Sequence, residues 1–109
     1  MATQLIFDTI PDGNDPQNPV RIYTDGCYDC FHFGHANVIK QCKEFFKYTY
    51  IVVGVCSDED TVENKGKNLM NQEERAECVR HCKWADEVHI EQYNLFNLYS
   101  QYNLYNLSK

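Results

Sequence analysis

The chain has 109 residues, which is enough for one small domain, and it carries a formal net charge of −6. An acidic chain lacks the broad basic face that nucleic acids require, so nucleic-acid binding is not expected, although a nucleotide needs only a local basic cluster. No run is long and apolar enough to cross a bilayer, and Met1–Pro11 lacks a signal-peptide pattern, so a cytoplasmic location is predicted. The six cysteines are then expected to remain reduced.

Residues 1–19 begin with a short apolar patch, Leu5-Ile6-Phe7, and continue as a dense run of turn-forming residues from Pro11 to Pro19. Proline, glycine, asparagine and aspartate each favour turns over regular structure. We therefore predict a flexible lead-in over residues 1–19 and assign no chemistry to it.

Hydrophobic spacing predicts three strands in the following part of the chain. They are Val20–Thr24, Tyr48–Cys56 and Glu87–Ile90. The middle run is continuously apolar, which is typical of a central parallel strand that is covered on both faces.

Helices are predicted over Gly34–Phe46 and from an Asn71 N-cap to about Cys82. Glu74 stands three residues after Asn71, as in a capping box. Ser57–Leu69 is interpreted as a polar connection. The order β-α-β-α-β predicts a parallel, right-handed, doubly wound sheet, in which ligands bind beyond the carboxyl ends of the strands.

The segment from Tyr23 to His35 lies at that end of the first predicted strand and leads into the first helix. A helix start offers free N–H groups and a positive dipole end to an anion, and Gly34 is expected to let a phosphate approach the backbone. His32 and His35 would donate hydrogen bonds to that phosphate. Asp29 is predicted to orient the His32 imidazole and to favour its protonated form.

The pattern Asp25-Gly26-x-Tyr28-Asp29-x-x-His32-x-Gly34-His35 resembles the signature of the cytidylyltransferases, within the H-x-G-H nucleotidyltransferase superfamily. The resemblance extends from about Pro19 to Val88. It is also carried, in the family's order, by Tyr50–Asp58, Asn64-Lys65-Gly66, Met70-Asn71-x-x-Glu74-Arg75 and His81–Val88. It implies an α/β fold with a Rossmann-like doubly wound parallel sheet of the nucleotidyltransferase type.

The resemblance implies a transferase of phospholipid and phosphatidylcholine biosynthesis. Phosphocholine would attack the α-phosphorus of CTP, with Mg²⁺ bridging the CTP phosphates, to give CDP-choline and pyrophosphate. Phosphoethanolamine is the alternative acceptor, because Asp25–Asp29 and Lys83-Trp84 are more similar to the enzymes that use it. The family also forms homodimers through surfaces near the first motif, so a homodimer is expected.

The resemblance implies catalytic roles for His32, His35 and Lys65. It implies nucleotide binding by Asp25, Gly26, Cys27, Tyr28, Asp29, Gly34, Arg75, Lys83 and Asp86. Ordinary roles stand beside these: Lys65 as a solvated loop charge, Arg75 in a surface ion pair with Glu74 or Glu77, and Trp84 in packing.

Two further interpretations remain open. Cys27, Cys30, His32 and His35 are zinc-ligand residue types, although usual zinc modules separate their ligand pairs by a dozen or more residues. No metal site is predicted from them. Residues 92–109 form an Asn/Tyr/Leu-rich low-complexity tract where the family would place further elements and an Arg-Thr-x-Gly motif. Residues 20–91 are therefore predicted to form a partial catalytic domain that is incomplete at its C-terminus, followed by a tail at 92–109. The alternative function is a non-catalytic fragment of such an enzyme.

Overall fold

The computed structural model of the chain describes residues 11–64 and 68–91, together with a short strand at 105–106. Its strands are β1 (Val20–Gly26), β2 (Thr49–Cys56), β3 (Glu87–Glu91) and β4 (Tyr105–Asn106). Its helices are α1 (Phe33–Lys43), α2 (Asp58–Asn64) and α3 (Gln72–Arg80). The predicted tail at 92–109 otherwise lies outside the described residues.

The four described strands form one parallel sheet in the order β3-β2-β1-β4. The chain steps from β1 to β2 to β3 in one direction, whereas β4 pairs with β1 on its other side. This reversal is the switch point of a doubly wound sheet, and ligands bind beside it at the carboxyl ends of the strands. The α/β fold that the sequence predicts is confirmed.

One face of the sheet packs against α1 and α3 and holds the core. β2 is buried almost throughout, as its continuous apolar run predicts. Alternate residues of the strands share this core with α1 and α3, because successive strand side chains point to opposite faces. The fully buried members include Ile22, Ile39, Ile51, Val53 and Val79.

Two helix ends differ from the sequence prediction. α1 ends at Lys43 rather than Phe46: Glu44 is its C-cap, and the Thr49 hydroxyl donates to the Lys43 carbonyl at 2.6 Å. α3 ends at Arg80, about two residues before the predicted end. Its predicted capping box is confirmed, since Glu74 N donates to Asn71 Oδ1 at 2.9 Å and Asn71 N to Glu74 Oε1 at 3.0 Å.

The interpretation of Ser57–Leu69 as a polar connection throughout is wrong, because α2 occupies Asp58–Asn64. The local signal was present in the sequence. Ser57 Oγ accepts from Asp60 N at 3.2 Å, as an N-cap serine does, and the first turn of α2 is acidic, which complements the helix dipole.

Part of the predicted lead-in packs on the domain. Gly13 is buried with φ 81°, and its carbonyl accepts from Tyr48 N at 3.1 Å. A Cβ at Gly13 would lie 2.8 Å from Phe46 Cβ, so the close approach requires glycine. Within the described ranges, no helix has the length and apolar character needed to cross a membrane.

Candidate functional site

A cavity of about 460 Å³ opens beyond the carboxyl end of β1. It is lined by Asp25, Gly26, Cys27, Tyr28, Asp29, His35, Val38 and Asn68. The structure therefore brings together six of the residues that the sequence analysis selected. Val38 and Asn68 were not selected, because neither carries a charge or a recognised motif position.

His32 and His35 form a capping box at the start of α1. His32 is the N-cap, and its Nδ1 accepts from Gly34 N at 3.0 Å. His35 Nδ1 accepts in return from His32 N at 3.1 Å, and the two ring centroids are 4.0 Å apart. Two histidines thus satisfy backbone N–H groups that a helix start otherwise leaves unpaired.

This cap fixes the tautomer of both rings. A nitrogen that accepts a backbone hydrogen bond carries no proton, so the proton of each neutral imidazole resides on Nε2. Burial, and then the nearby charge of His32, lower the pKa of His35, which also favours its neutral form. Nε2–H of each neutral ring therefore remains available as a hydrogen-bond donor to an anion at the N-terminus of α1.

Gly34 has a packing role that the sequence did not predict. A Cβ at Gly34 would lie 2.8 Å from His32 Cε1 and 3.0 Å from His32 Nδ1. The absent side chain therefore makes room for the capping imidazole.

Tyr28 packs behind His35. Its side chain is buried, its backbone has φ 58°, and its ring meets the His35 ring edge-on at a centroid distance of 5.6 Å. Phe31 stacks on the same imidazole at 5.5 Å. Burial raises the pKa of Tyr28 to about 12, so the phenol remains neutral. These two aromatic rings hold the His35 ring in place.

Asp29 does not orient His32, contrary to the expectation. Its Oδ2 accepts from Leu69 N at 2.9 Å and its Oδ1 from Met70 N at 3.0 Å. These hydrogen bonds, led by the one from Leu69, lower the pKa of the Asp29 carboxyl. His32 is instead oriented by the backbone N–H that it caps.

Arg75 lies beneath the site and is fully buried. Its guanidinium donates to Asp58 at 2.7 Å and to three backbone carbonyls: Met70 at 3.0 Å, Cys27 at 2.8 Å and Cys56 at 2.7 Å. The predicted nucleotide contact does not fit this placement, and a surface pair with a neighbouring glutamate is also wrong. Asp58 was not among the predicted site residues, because the segment after β2 was predicted to be a loop.

Asp86 lies near the amino ends of the strands, whereas the cavity lies beyond their carboxyl ends. Its Oδ2 accepts from Ile51 N at 2.7 Å, near the start of β2, and from Lys43 Nζ at 2.7 Å. Lys43 also donates to the Thr49 carbonyl at 2.8 Å. α3 runs antiparallel to the strands and returns the chain to their amino ends, so the predicted nucleotide contact of Asp86 does not fit this placement.

One predicted lysine, Lys83, also lies apart from the cavity. Lys83 lines a separate groove, with its Nζ 4.9 Å from the centre of the Trp84 ring. Lys65 falls outside the described residues. In the part of the chain that the structure describes, no three His, Cys, Asp or Glu side chains are grouped as a metal site requires. The zinc set of Cys27, Cys30 and the two histidines is therefore not assembled.

Comparison with known proteins assigns the family. A family model described as cytidylyltransferase-like matches residues 23–104, so the chain belongs to the cytidylyltransferase-like family. Choline-phosphate cytidylyltransferase 2 of Arabidopsis thaliana is 53% identical over 77 residues, which cover 71% of this chain and 25% of that protein. Ethanolamine-phosphate cytidylyltransferase of Dictyostelium discoideum is 51% identical over 72 residues, covering 66% of this chain and 19% of that protein.

The chain thus spans a quarter or less of the length of these relatives. A solved structure, the lipopolysaccharide core biosynthesis protein from Thermoplasma volcanium GSS1, superposes with a TM-score of 0.70 at 19% identity. The match covers 78% of this chain and 69% of that one. It supports the fold.

Proposed function

We propose that this chain carries the nucleotide site of a cytidylyltransferase that transfers the cytidylyl group of CTP to phosphocholine. CDP-choline and pyrophosphate are the products. One observation carries the proposal: the capping box of His32 and His35 uses Nδ1 of each ring at the N-terminus of α1, which leaves Nε2–H for a ligand, and His35 lines the cavity at the sheet's switch point. Membership of the cytidylyltransferase-like family supports the same chemistry.

The mechanism is positioning and charge stabilisation. An acceptor phosphate oxygen forms a bond to the α-phosphorus of CTP as the bond to pyrophosphate breaks, and negative charge develops on the transferring oxygens. The Nε2–H groups of His32 and His35 would stabilise that charge as preorganised donors, together with the N-terminal dipole of α1. Neither histidine needs to accept or release a proton for this role.

The donor set fits a magnesium ion that is held mainly by CTP. Mg²⁺ prefers oxygen ligands and is usually held by one or two carboxylates together with substrate phosphates. Asp25 lines the cavity, whereas the oxygens of Asp29 accept from Leu69 and Met70. Bound with CTP, the ion would neutralise part of the phosphate charge, and Asp25 would be its protein contact.

The acceptor is the less determined substrate. Relatives named for phosphocholine and for phosphoethanolamine match at 53% and 51% identity, so overall identity does not separate them. We propose phosphocholine first and phosphoethanolamine as the alternative. A cytoplasmic location, a role in phospholipid biosynthesis and a homodimer belong to the same proposal.

The test is pyrophosphate release by the purified chain with CTP and Mg²⁺, with each acceptor in parallel. The informative variant is His35→Gln, because glutamine at the third helical position retains the capping box while the imidazole is lost. His81→Gln is the matched control, since the His81 side chain is 76% exposed at the far end of α3. Release that falls in His35→Gln and persists in His81→Gln supports the proposal.

CTP binding without release would instead identify a binding unit. The short span of the chain against its relatives favours testing this second candidate. Equal release by wild type and His35→Gln would contradict the assignment of the histidines.

A further inference from the structure

The segment Asn68–Met70, named here the docked loop, is fastened to the loop that follows β1. Leu69 N and Met70 N donate to the two carboxylate oxygens of Asp29, at 2.9 and 3.0 Å. Cys27 Sγ lies 3.3 Å from Asn68 Oδ1. About forty residues of sequence separate the two sides of these contacts. The docking is therefore a tertiary feature that the histidine motif does not make by itself.

Arg75 holds the same two segments from below. Its Nε donates to the Met70 carbonyl in the docked loop, and its Nη1 donates to the Cys27 carbonyl in the loop after β1. Its other partners, the Cys56 carbonyl and Asp58, anchor it to the end of β2 and the start of α2. A planar guanidinium can serve several fixed acceptors at once, which an ammonium group on a flexible stem cannot reproduce.

Both charged groups make hydrogen bonds to other parts of the protein. Arg75 is 0% exposed, and each oxygen of Asp29 accepts a backbone hydrogen bond. Asp29 and Asn68 nevertheless both line the 460 Å³ cavity, so two of its walls meet at this docking contact. Loss of the contact would therefore change the shape of the cavity.

We propose that Asp29 and Arg75 are positioning residues that fasten the docked loop and thereby set the shape of the nucleotide cavity. This inference rests on the proposed function, because it assigns the cavity to CTP. It differs from the role that the motif implies for these residues, which is direct contact with the nucleotide.

The experiment compares Asp29→Asn with Asp29→Glu, and Arg75→Lys with wild type. Asparagine retains one acceptor oxygen and replaces the other with a donor that faces a backbone N–H, whereas glutamate retains both oxygens. Asp15→Asn is the matched control, since Asp15 is an exposed carboxylate that accepts a local hydrogen bond from Gln17 N, two residues away. Two readouts are used: hydrogen exchange of the Leu69 and Met70 amides, and the KM and kcat for CTP.

In Asp29→Asn, exchange at both amides is expected to rise about tenfold or more, as a lost hydrogen bond to a charged group permits. KM for CTP is expected to rise with a smaller fall in kcat, because a misplaced wall weakens binding before it affects phosphoryl chemistry. Asp29→Glu should partly restore both values, Arg75→Lys should resemble Asp29→Asn, and Asp15→Asn should resemble wild type.

Unchanged exchange at Leu69 and Met70 in Asp29→Asn would overturn the docking role. A normal KM despite faster exchange would overturn the link between the loop and the nucleotide. If wild type neither binds nor turns over CTP, the proposed function fails, and amide exchange still decides whether Asp29 fastens the loop. Asp29→Asn is the main variant, because it leaves the buried guanidinium of Arg75 in place. Arg75→Lys, which replaces that guanidinium, is the secondary variant.

Discussion

Substitutions at His32 separate its role in the fold from its role in the chemistry. His32→Ala removes both the Nδ1 acceptor that caps α1 at 3.0 Å and the Nε2–H donor. His32→Asn restores a side-chain acceptor of the type that natural N-caps prefer, but it has no imidazole. Loss of an N-cap costs about 1 kcal/mol, within a range of about 0.5–2 kcal/mol. For a domain of this size, 1 kcal/mol corresponds to a fall in Tm of about 4–8 °C.

Thermal unfolding by circular dichroism and pyrophosphate release with CTP are the two assays. We expect His32→Ala to lose about 4–8 °C of Tm and the activity, whereas His32→Asn retains the Tm and loses the activity. An Asn variant as unstable as the Ala variant would refute the capping role. An Asn variant with normal turnover would refute the need for the imidazole donor.

Three other predictions follow from neighbouring contacts. Gly34→Ala forces the His32 ring from its place, so activity should fall at least tenfold. The Tm should change by less than about 5 °C, because the higher helix propensity of alanine offsets the lost cap. Normal activity in this variant would contradict the packing argument. Lys43→Met removes the ion pair and carbonyl hydrogen bond described above and should cost about 1 kcal/mol in urea unfolding, against about 0.5 kcal/mol or less for Lys40→Met, whose pair is exposed at 3.8 Å. The pKa of His35 is lowered in the folded state. The stability that His35 contributes is therefore present above the ordinary histidine pKa of about 6.5 and is lost as the pH falls through the lowered pKa. The pH dependence of the Tm should accordingly weaken in His35→Gln.

Much of the architecture could be predicted because its signals are local. The continuous apolar run of β2 predicted a buried central strand. Asn71 and Glu74, three residues apart, predicted the start of α3 to the residue. The end of α1 could not be predicted in the same way, since Thr49, from the next strand, contacts its last carbonyl. Local patterns located the elements, while tertiary contacts determined several of their ends.

The same distinction between local patterns and tertiary contacts applies to the candidate site. The position of the cavity at the end of β1 followed from topology, and His35, Tyr28 and Gly26 lie there as expected. The partners of Asp29 and Arg75 could not be predicted, because they come from segments that only the folded sheet brings together. A charged residue in a motif suggests a ligand contact, but burial without solvent access favours an internal partner.

The spacing of the histidine motif has a structural explanation within this chain. A capping box joins an N-cap to the third helical residue, and Asn71 and Glu74 show the ordinary version at α3. His32 and His35 have the same spacing and make the same reciprocal contacts at α1. An imidazole is bulkier than the usual capping side chain, and a Cβ at the second of the two intervening residues, Gly34, would lie only 2.8 Å from the His32 ring. Because Nδ1 of each ring is used by the helix, Nε2 remains for a ligand, and one short pattern specifies both the helix start and two histidine donors.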